Sequence, residues 1–372
     1  MNDISALRRS AIIKPAKNPL FVCVISYTAT SEIPGLTMAG ANPHLVKYTS
    51  AADSEYLYYG HCKCIDFVPA TPDGKPTPAV ITRAALQLAE IPFLIVDAGA
   101  SIKPSIPYVS FGLEPGRNIL KENAMEYHSV IRAFDYGILL GRQLAKLSDF
   151  VVVGESIPGG TTTTLAVLSA LGIHARFKVS SSMPENPHDL KNKVAASAME
   201  RAGTVFGSIS SPFEAVATFG DPMMPSVAGI ASGALSAGSK VMLAGGTQMS
   251  AIVAMLKRIG KSLRGLCIGT TSYIAEDSSS DIEGLVGGVS QQVTILSCNL
   301  HLDESSKPGL QAFASGFVKE GVGAGGASIA AILKSKGKIT GRKLLTAIER
   351  DYETLIEARR SSPKKDMCEV GC

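Results

Sequence analysis

Two carboxylates stand out by what surrounds them. Glu155 follows the apolar run Phe150–Val153 and precedes Pro158-Gly159-Gly160, four threonines and an apolar helical pattern. Such a strand, turn and helix place an acid, close-approach backbone and hydroxyls at a strand's carboxyl end, beside a helix N-terminus. Free N–H groups and the helix dipole favour an anion there by about 0.3–2 kcal/mol. Glu320 precedes Gly321, Gly323, Gly325 and Gly326 and the apolar run Ser328–Leu333. Phe313, Phe317, Ile329 and Ile332 give it an apolar setting, and burial raises a carboxyl pKa and makes it a better base near neutral pH. The chemistry suggested is a phosphate-bearing small molecule handled beside Glu155.

Each motif also has a plainer reading. Gly321, Gly323 and Gly326 spell G-x-G-x-x-G, but a dinucleotide fingerprint needs a strand before it and an acid ending the next strand. Gln311–Gly316 reads as helix or loop, and no second strand follows, so that reading is rejected. Glu320 also fits a surface acid capping a helix. Gly159–Thr164 lacks the lysine of a P-loop, and Thr161, Thr162 and Thr163 fit phosphate holding or helix capping alone. Lys193, near a helix start, fits a phosphate contact or a solvated lysine. Asp97, ending a strand, fits orienting ligand hydroxyls or capping a turn. Asp73–Thr82 is a proline-stiffened entry to a helix. His61-Cys62-Lys63-Cys64 is half a metal site with no second ligand pair at zinc spacing, so no metal is expected.

These residues need elements to hold them. Apolar runs predict strands over Phe21–Tyr27, Phe93–Asp97, Phe150–Gly154, Ala215–Phe219, Lys240–Ala244, Leu266–Gly269 and Gln292–Ser297. Helical spacing predicts helices over Ala79–Glu90, Met125–Leu147, Thr162–Leu171, Asp189–Gly203, Met224–Ala237, Met249–Ile259 and Gly323–Ser335. Strands that are apolar throughout suit a parallel sheet covered on both faces. The alternation predicts an α/β fold, a doubly wound, mostly parallel sheet with helices on both faces. Residues 18–339 form the expected core. Residues 1–17 and 340–360 look helical and are expected to make a small helical lobe, and 361–372 a disordered tail. Open α/β sheets bind ligands at the carboxyl edge of their strands. Five expected strand ends are small or polar there: Asp97-Ala98-Gly99, Gly154-Glu155, Gly220-Asp221-Pro222, Gly245-Gly246-Thr247 and Gly269-Thr270-Thr271.

Composition narrows the class. The 372 residues are 45% hydrophobic and 18% charged, which suits a well-buried globular enzyme rather than a disordered or fibrous chain. The net charge of +4 is spread along the chain, with no basic block interleaved with aromatics, so nucleic acid is not an expected partner. Leu20–Tyr27 is too short for a signal or a membrane span, and glycines break Lys240–Lys257. Seven scattered cysteines fit a reducing cytoplasm.

Taken in order, these pieces resemble the nicotinate-nucleotide:dimethylbenzimidazole phosphoribosyltransferases, which assemble the lower ligand of cobamides. Gly154–Gly172 is similar to the family's segment containing G-E-M-G-I-G-N-T-T, and Phe219–Leu235 to its G-G-x-E-I-A-A-M-A-G helix. Val241–Leu256 resembles its V-L-V-D-G-F-I-S-S-A-A-A-L strand and helix, and Lys319–Ala327 its G-E-G-T-G-A signature. Thr77–Leu88 and Leu94–Ala100 match its Y-P-x-x-V-T helix and V-V-D-x-G strand. The likeness covers roughly Lys75 to Leu333. Thr28–Glu55 looks like an uncharacterised archaeal and cyanobacterial branch.

The resemblance implies a homodimer in which an aromatic base displaces nicotinate from nicotinate mononucleotide to give an α-ribosyl phosphate; no cofactor is expected. It puts Glu320 on the catalytic base, Glu155 on the carboxylate of the nucleotide pocket and Lys193 on a phosphate-contacting lysine. Gly159, Gly160, Thr161, Thr162, Gly321 and Gly323 would hold the nucleotide. Asp97, Val80, Thr247 and Glu276 are expected around the base and ribose. The chain departs from the pattern on the acceptor side: the acid of Y-P-Q-E-V-T falls on Val80, and the aspartate of V-D-G on Ala244. Adenine, a phenol or another benzimidazole is then open as acceptor. Hydrolysis of the nucleotide, or binding without catalysis, stays open beside transfer.

Overall fold

Alternate residues of the central strands enter two different cores. Val22 and Val24, Val151 and Val153, and Val241 and Leu243 face one apolar cluster. Phe21, Cys23 and Ile25, Phe150 and Val152, and Met242 and Ala244 face the other. A strand apolar at every position is therefore buried on both faces, each Val or Ile adding about 1.5–3 kcal/mol. The computed structural model describes residues 3–8, 16–40, 43–65 and 75–361.

Among these residues the strands are β1 (Ile4–Arg8), β2 (Pro19–Ile25), β3 (Phe93–Asp97), β4 (Val109–Ser110), β5 (Phe150–Ser156), β6 (Lys240–Ala244), β7 (Leu266–Thr271) and β8 (Thr294–Cys298). They form one sheet in the order β1-β8-β7-β6-β5-β2-β3-β4. Every pairing is parallel except β1 with β8. The helices are α1 (Thr49–Tyr59), α2 (Ala79–Leu88), α3 (Tyr127–Leu147), α4 (Gly160–Ala170), α5 (His188–Arg201), α6 (Pro212–Phe219) and α7 (Met223–Ser236). They continue with α8 (Met249–Arg258), α9 (Ser272–Ala275), α10 (Ile282–Val289), α11 (Pro308–Ala314), α12 (Ala324–Lys334) and α13 (Gly341–Ser361). The doubly wound, mostly parallel sheet expected from the strand–helix rhythm is present, with α3, α4, α7 and α8 on one face and α1, α2 and α12 on the other. From β2 the chain runs outward through β3 and β4, then returns to place β5 on the other side of β2. The β2–β5 boundary is thus a topological switch point, where helices diverge to opposite faces and leave a crevice.

Two expectations are corrected. Ala215–Phe219 is the end of helix α6, not a strand. A five-residue apolar run fits a buried helix as well as a strand. The deciding signal lies upstream, where the Ser211 hydroxyl accepts from Glu214 N–H and Pro212 opens the first turn. Gly220-Asp221 therefore ends a helix and leads into α7. Within 1–17, Ile4–Arg8 is strand rather than helix, antiparallel to β8. Ile4 and Leu7 share helical spacing, but here they pack on opposite faces of the sheet. At the other terminus α13 is helical as expected and packs against α2. Residues 362–372 of the expected tail lie outside the described residues.

Candidate active site

Glu155 is carried to the carboxyl end of β5, directly beside β2. It is 2% exposed and opens on a cleft of about 1130 Å3, mouth included. The cleft sits at the switch point. Its walls are Leu36–Gly40, the first turns of α1, Lys75–Pro78, Glu155–Thr161, Ser180–Ser182, Val318 and Glu320–Val322. Glu320, half-buried, opens on the same cleft from the loop between α11 and α12. Two acids 165 positions apart in sequence therefore meet in one crevice.

Their surroundings differ. Glu155 Oε1 accepts from the Gln248 side-chain amide. Burial pushes the Glu155 carboxyl up to about 8; the Gln248 bond opposes this, and the charges of Glu320 and Asp221 add to it. Glu320 is ringed by donors. Thr271 N–H donates to Oε2 (2.9 Å), Gly321 N–H to Oε1 (3.2 Å), and Gly325 N–H lies 3.2–3.3 Å from both oxygens. The Thr270 hydroxyl adds a contact at 3.3 Å. Burial still raises this carboxyl to about 7 against those bonds. Both acids are thus poised to exchange protons near neutral pH.

The loop bearing Glu320 is pinned and strained. Val318 and Val322 adopt φ of 45° and 53°, a conformation β-branched residues rarely take. Val318 N–H donates to Ser182 O, and the Thr82 hydroxyl to Val322 O. The Thr271 hydroxyl donates to Lys319 O, and buried Lys319 pairs with Asp277 at 2.7 Å. Strain held by so many bonds fixes a carboxylate in place, as active sites do.

Glycines let this loop reach the sheet. A Cβ on Gly325 would stand 2.0 Å from the Thr270 carbonyl carbon. Opposite, Gly159 takes φ +77° against Ser31, and α4 begins at Gly160 with its first N–H groups beside the cleft. Such a helix start favours an anionic group.

Of the expected site residues, Glu155, Glu320, Gly159, Gly160, Thr161 and Gly321 line the cleft. Gly323 stands behind it, packed on Gly154 and Phe21. Thr162 is buried behind the α4 start. The others lie off the lining. Lys193 is exposed on α5, whereas Lys191, two residues earlier, is buried. Lys191 Nζ donates to Ser180 O (2.6 Å) and Asn186 Oδ1 (3.1 Å), holding a cleft wall. Burial, aided by nearby Lys319, brings this ammonium down to about 7. Asp97 caps a turn, accepting from Gly99 and Ala100 N–H and pairing with Lys103 at 2.6 Å. Val80 is core, Glu276 is exposed, and Thr247 Oγ1 accepts from Ser180 N–H behind the lining. Cys62 Sγ donates to Ala52 O, and Cys64 N–H to Glu55. Among the described residues no group of three or more His, Cys, Asp or Glu is placed to hold a metal ion. No helix among them is long and apolar enough to cross a membrane.

Sequence reasoning missed Asp53, Gln248 and Ser180–Ser182, all cleft-lining. For Asp53 no local signal could have served: Thr49–Glu55 is polar and small, with no apolar stripe, and only the structure shows that the helix is buried. A buried helix that keeps serines and acids is using them.

A model of the family described as phosphoribosyltransferase matches residues 79–280, a little over half the chain. The chain is 46% identical over 336 residues to a UPF0284 protein of Archaeoglobus fulgidus, covering 90% of this chain and 94% of that one. It is 45% identical over 323 residues to the UPF0284 protein of Methanothermobacter thermautotrophicus, with coverage of 85% and 88%. The fold is similar to the solved nicotinate-nucleotide-dimethylbenzimidazole phosphoribosyltransferase of Thermus thermophilus. There the TM-score is 0.57 at 17% identity, over 89% of this chain and 83% of that one. A second structure, CobT of the same organism, gives the same score and identity over 87% and 85%.

Proposed function

The chain belongs to the phosphoribosyltransferase family, and on that premise we propose that it moves the phosphoribosyl group of nicotinate mononucleotide to a benzimidazole-like or related aromatic base. Nicotinate leaves, and an α-riboside 5′-phosphate forms for cobamide lower-ligand assembly. The observation that carries this reading is the convergence of Glu155 and Glu320 on one cleft at the β2–β5 switch point.

The donor's phosphate goes to the start of α4, where Gly159, Gly160 and Thr161 offer backbone N–H groups and a hydroxyl. The Ser180–Ser182 wall, braced by buried Lys191, faces the same space. Lys193, exposed on α5, has no part in this scheme. Fixing the donor supplies positioning, the main lever for a substitution at carbon.

Nicotinate departs from a positively charged ring nitrogen. The breaking C1′–N bond gives its electron pair to that nitrogen, so no acid is needed. The incoming base attacks C1′ from the opposite face through one ring nitrogen, inverting the anomeric carbon. Its other ring nitrogen sheds a proton, which Glu320 accepts. A proton acceptor in place contributes about 100- to 10,000-fold in rate. Glu155 faces the ribosyl carbon; its raised carboxyl is mostly protonated at neutral pH and so offers an O–H donor to the ribose. A homodimer is part of the same reading; exposed Tyr136, Leu139 and Leu147 on α3 support it, and the mass in solution tests it.

The experiment is incubation with nicotinate mononucleotide, with and without a panel of aromatic bases, following nicotinate release. Release that requires a base supports transfer. Release without one makes the protein a hydrolase, and tight binding without release makes it a nucleotide-binding protein.

A further inference from the structure

Asp53 is a cleft-lining acid that the transfer scheme above leaves unused. It stands in the middle of α1, 3% exposed, and opens on the same cleft as Glu155 and Glu320. The helix is held rigidly: the Ser50 hydroxyl donates to Ser26 O at 2.6 Å, just beyond β2. Asp53 Oδ1 accepts from the Thr77 hydroxyl (2.6 Å) and Oδ2 from the Ser156 hydroxyl (2.7 Å). Among the described residues no cation pairs with it. Each oxygen therefore has room for one more donor, since a carboxylate accepts about four bonds.

The cleft that Asp53 lines also has an apolar lining of Leu36, Leu45, Tyr48, Ala52, Pro76 and Pro78. An apolar lining suits an aromatic ring, and Gly159–Thr161 and Ser180–Ser182, which line the same cleft, suit the phosphoribosyl group. A buried carboxylate costs free energy unless donors surround it. A ring edge bearing only methyl groups would leave the remaining acceptor sites of Asp53 unfilled. A ring edge bearing an O–H or N–H would return a charge-assisted hydrogen bond.

We propose that Asp53 is the residue that selects the acceptor, favouring aromatic bases that carry a hydroxyl or amino donor over methylated ones. Asp53 lies outside the span that the family model matches, so the selection belongs to the N-terminal wall. The proposal rests on the transfer reading and deepens it.

Initial rates of transfer from nicotinate mononucleotide to 5-hydroxybenzimidazole and to 5-methylbenzimidazole, equal in ring and close in size, test it. The wild-type protein should favour the hydroxyl compound in kcat/KM by roughly 10- to 150-fold, the worth of one hydrogen bond to a charge. Asp53→Asn should cut that preference at least tenfold, through the acceptor KM, and leave the donor KM within about twofold. A conservative fold check, the unchanged donor affinity, travels with the same data. Equal rates for the two bases in the wild type, or an intact preference in Asp53→Asn, overturn the proposal. A rise in the donor KM instead makes Asp53 a ribose contact and also overturns it. Absence of release with every base defeats the transfer reading itself, a distinct outcome.

Discussion

Gly154 and Gly323 touch backbone to backbone. A Cβ on Gly154 would stand 3.1 Å from Gly323 Cα, and one on Gly323 3.0 Å from Gly154 Cα. This contact docks the start of α12 on the end of β5. It carries Glu155, one residue beyond Gly154, and Glu320, three before Gly323, to the same crevice. Gly323 also takes φ +67°. Gly323→Ala therefore adds crowding to left-handed backbone, an expected loss of about 2–4 kcal/mol. Gly260 has φ +71° with nothing within 4 Å of a built Cβ, so Gly260→Ala should cost only about 1 kcal/mol. Denaturant midpoints for both variants check this; equal losses would mean that the glycine contact does not matter.

Glu320→Gln should lower kcat by about 100- to 10,000-fold with donor affinity within a few-fold. The base acts when ionised. The wild-type rate should therefore rise as pH climbs through about 7, and the variant should lack that rise. A pH profile of kcat/KM shows both. An unchanged rate in the variant removes Glu320 from the chemistry.

Glu155 should make stability depend on pH in the opposite sense to an ordinary paired carboxylate. Its carboxyl is raised in the folded protein from 4.5 to about 8, so between those values the folded state holds the proton more than the unfolded chain does. Its contribution to stability is present below pH 4.5 and is lost as pH rises toward 8. Glu155→Gln keeps an acceptor for Gln248 and cannot ionise. The variant should gain on the order of 1 kcal/mol or more over wild type at pH 8, and little at pH 5. Thermal unfolding at the two pH values measures it, and an equal effect at both would count against a raised carboxyl.

Lys191 and Lys193 separate cleanly on α5. Lys191 braces the Ser180–Ser182 wall from a buried position, and Lys193 is exposed. Lys191→Met should weaken binding of nicotinate mononucleotide about tenfold or more and that of its nucleoside much less; Lys193→Ala should change neither. Calorimetric titration with both ligands decides, and a phosphate-specific loss in Lys193→Ala would reverse the assignment.

Much of this arrangement could be read from the chain alone, because β2, β5 and β6 are buried on both faces and so are apolar at each inner position. Glu155 and Glu320 were legible because strand ends and glycine-rich helix starts have local signatures. Three things were not. The Ala215–Phe219 run fits strand and helix equally without its Ser211-Pro212 start. Residues 1–17 read as helical because spacing says nothing about which edge strand a terminus will join. Lys191 and Lys193 differ only in which way a helix faces, and tertiary packing sets that. Asp53 was missed because its polar helix, read alone, looks like a surface one.

A crystal structure with nicotinate mononucleotide bound tests the account most directly. Its phosphate should lie at Gly159–Thr161 and its ribosyl C1′ between the Glu155 and Glu320 carboxyls, with open space left toward Asp53. A nucleotide bound elsewhere, or one whose C1′ is walled off from either acid, would contradict it.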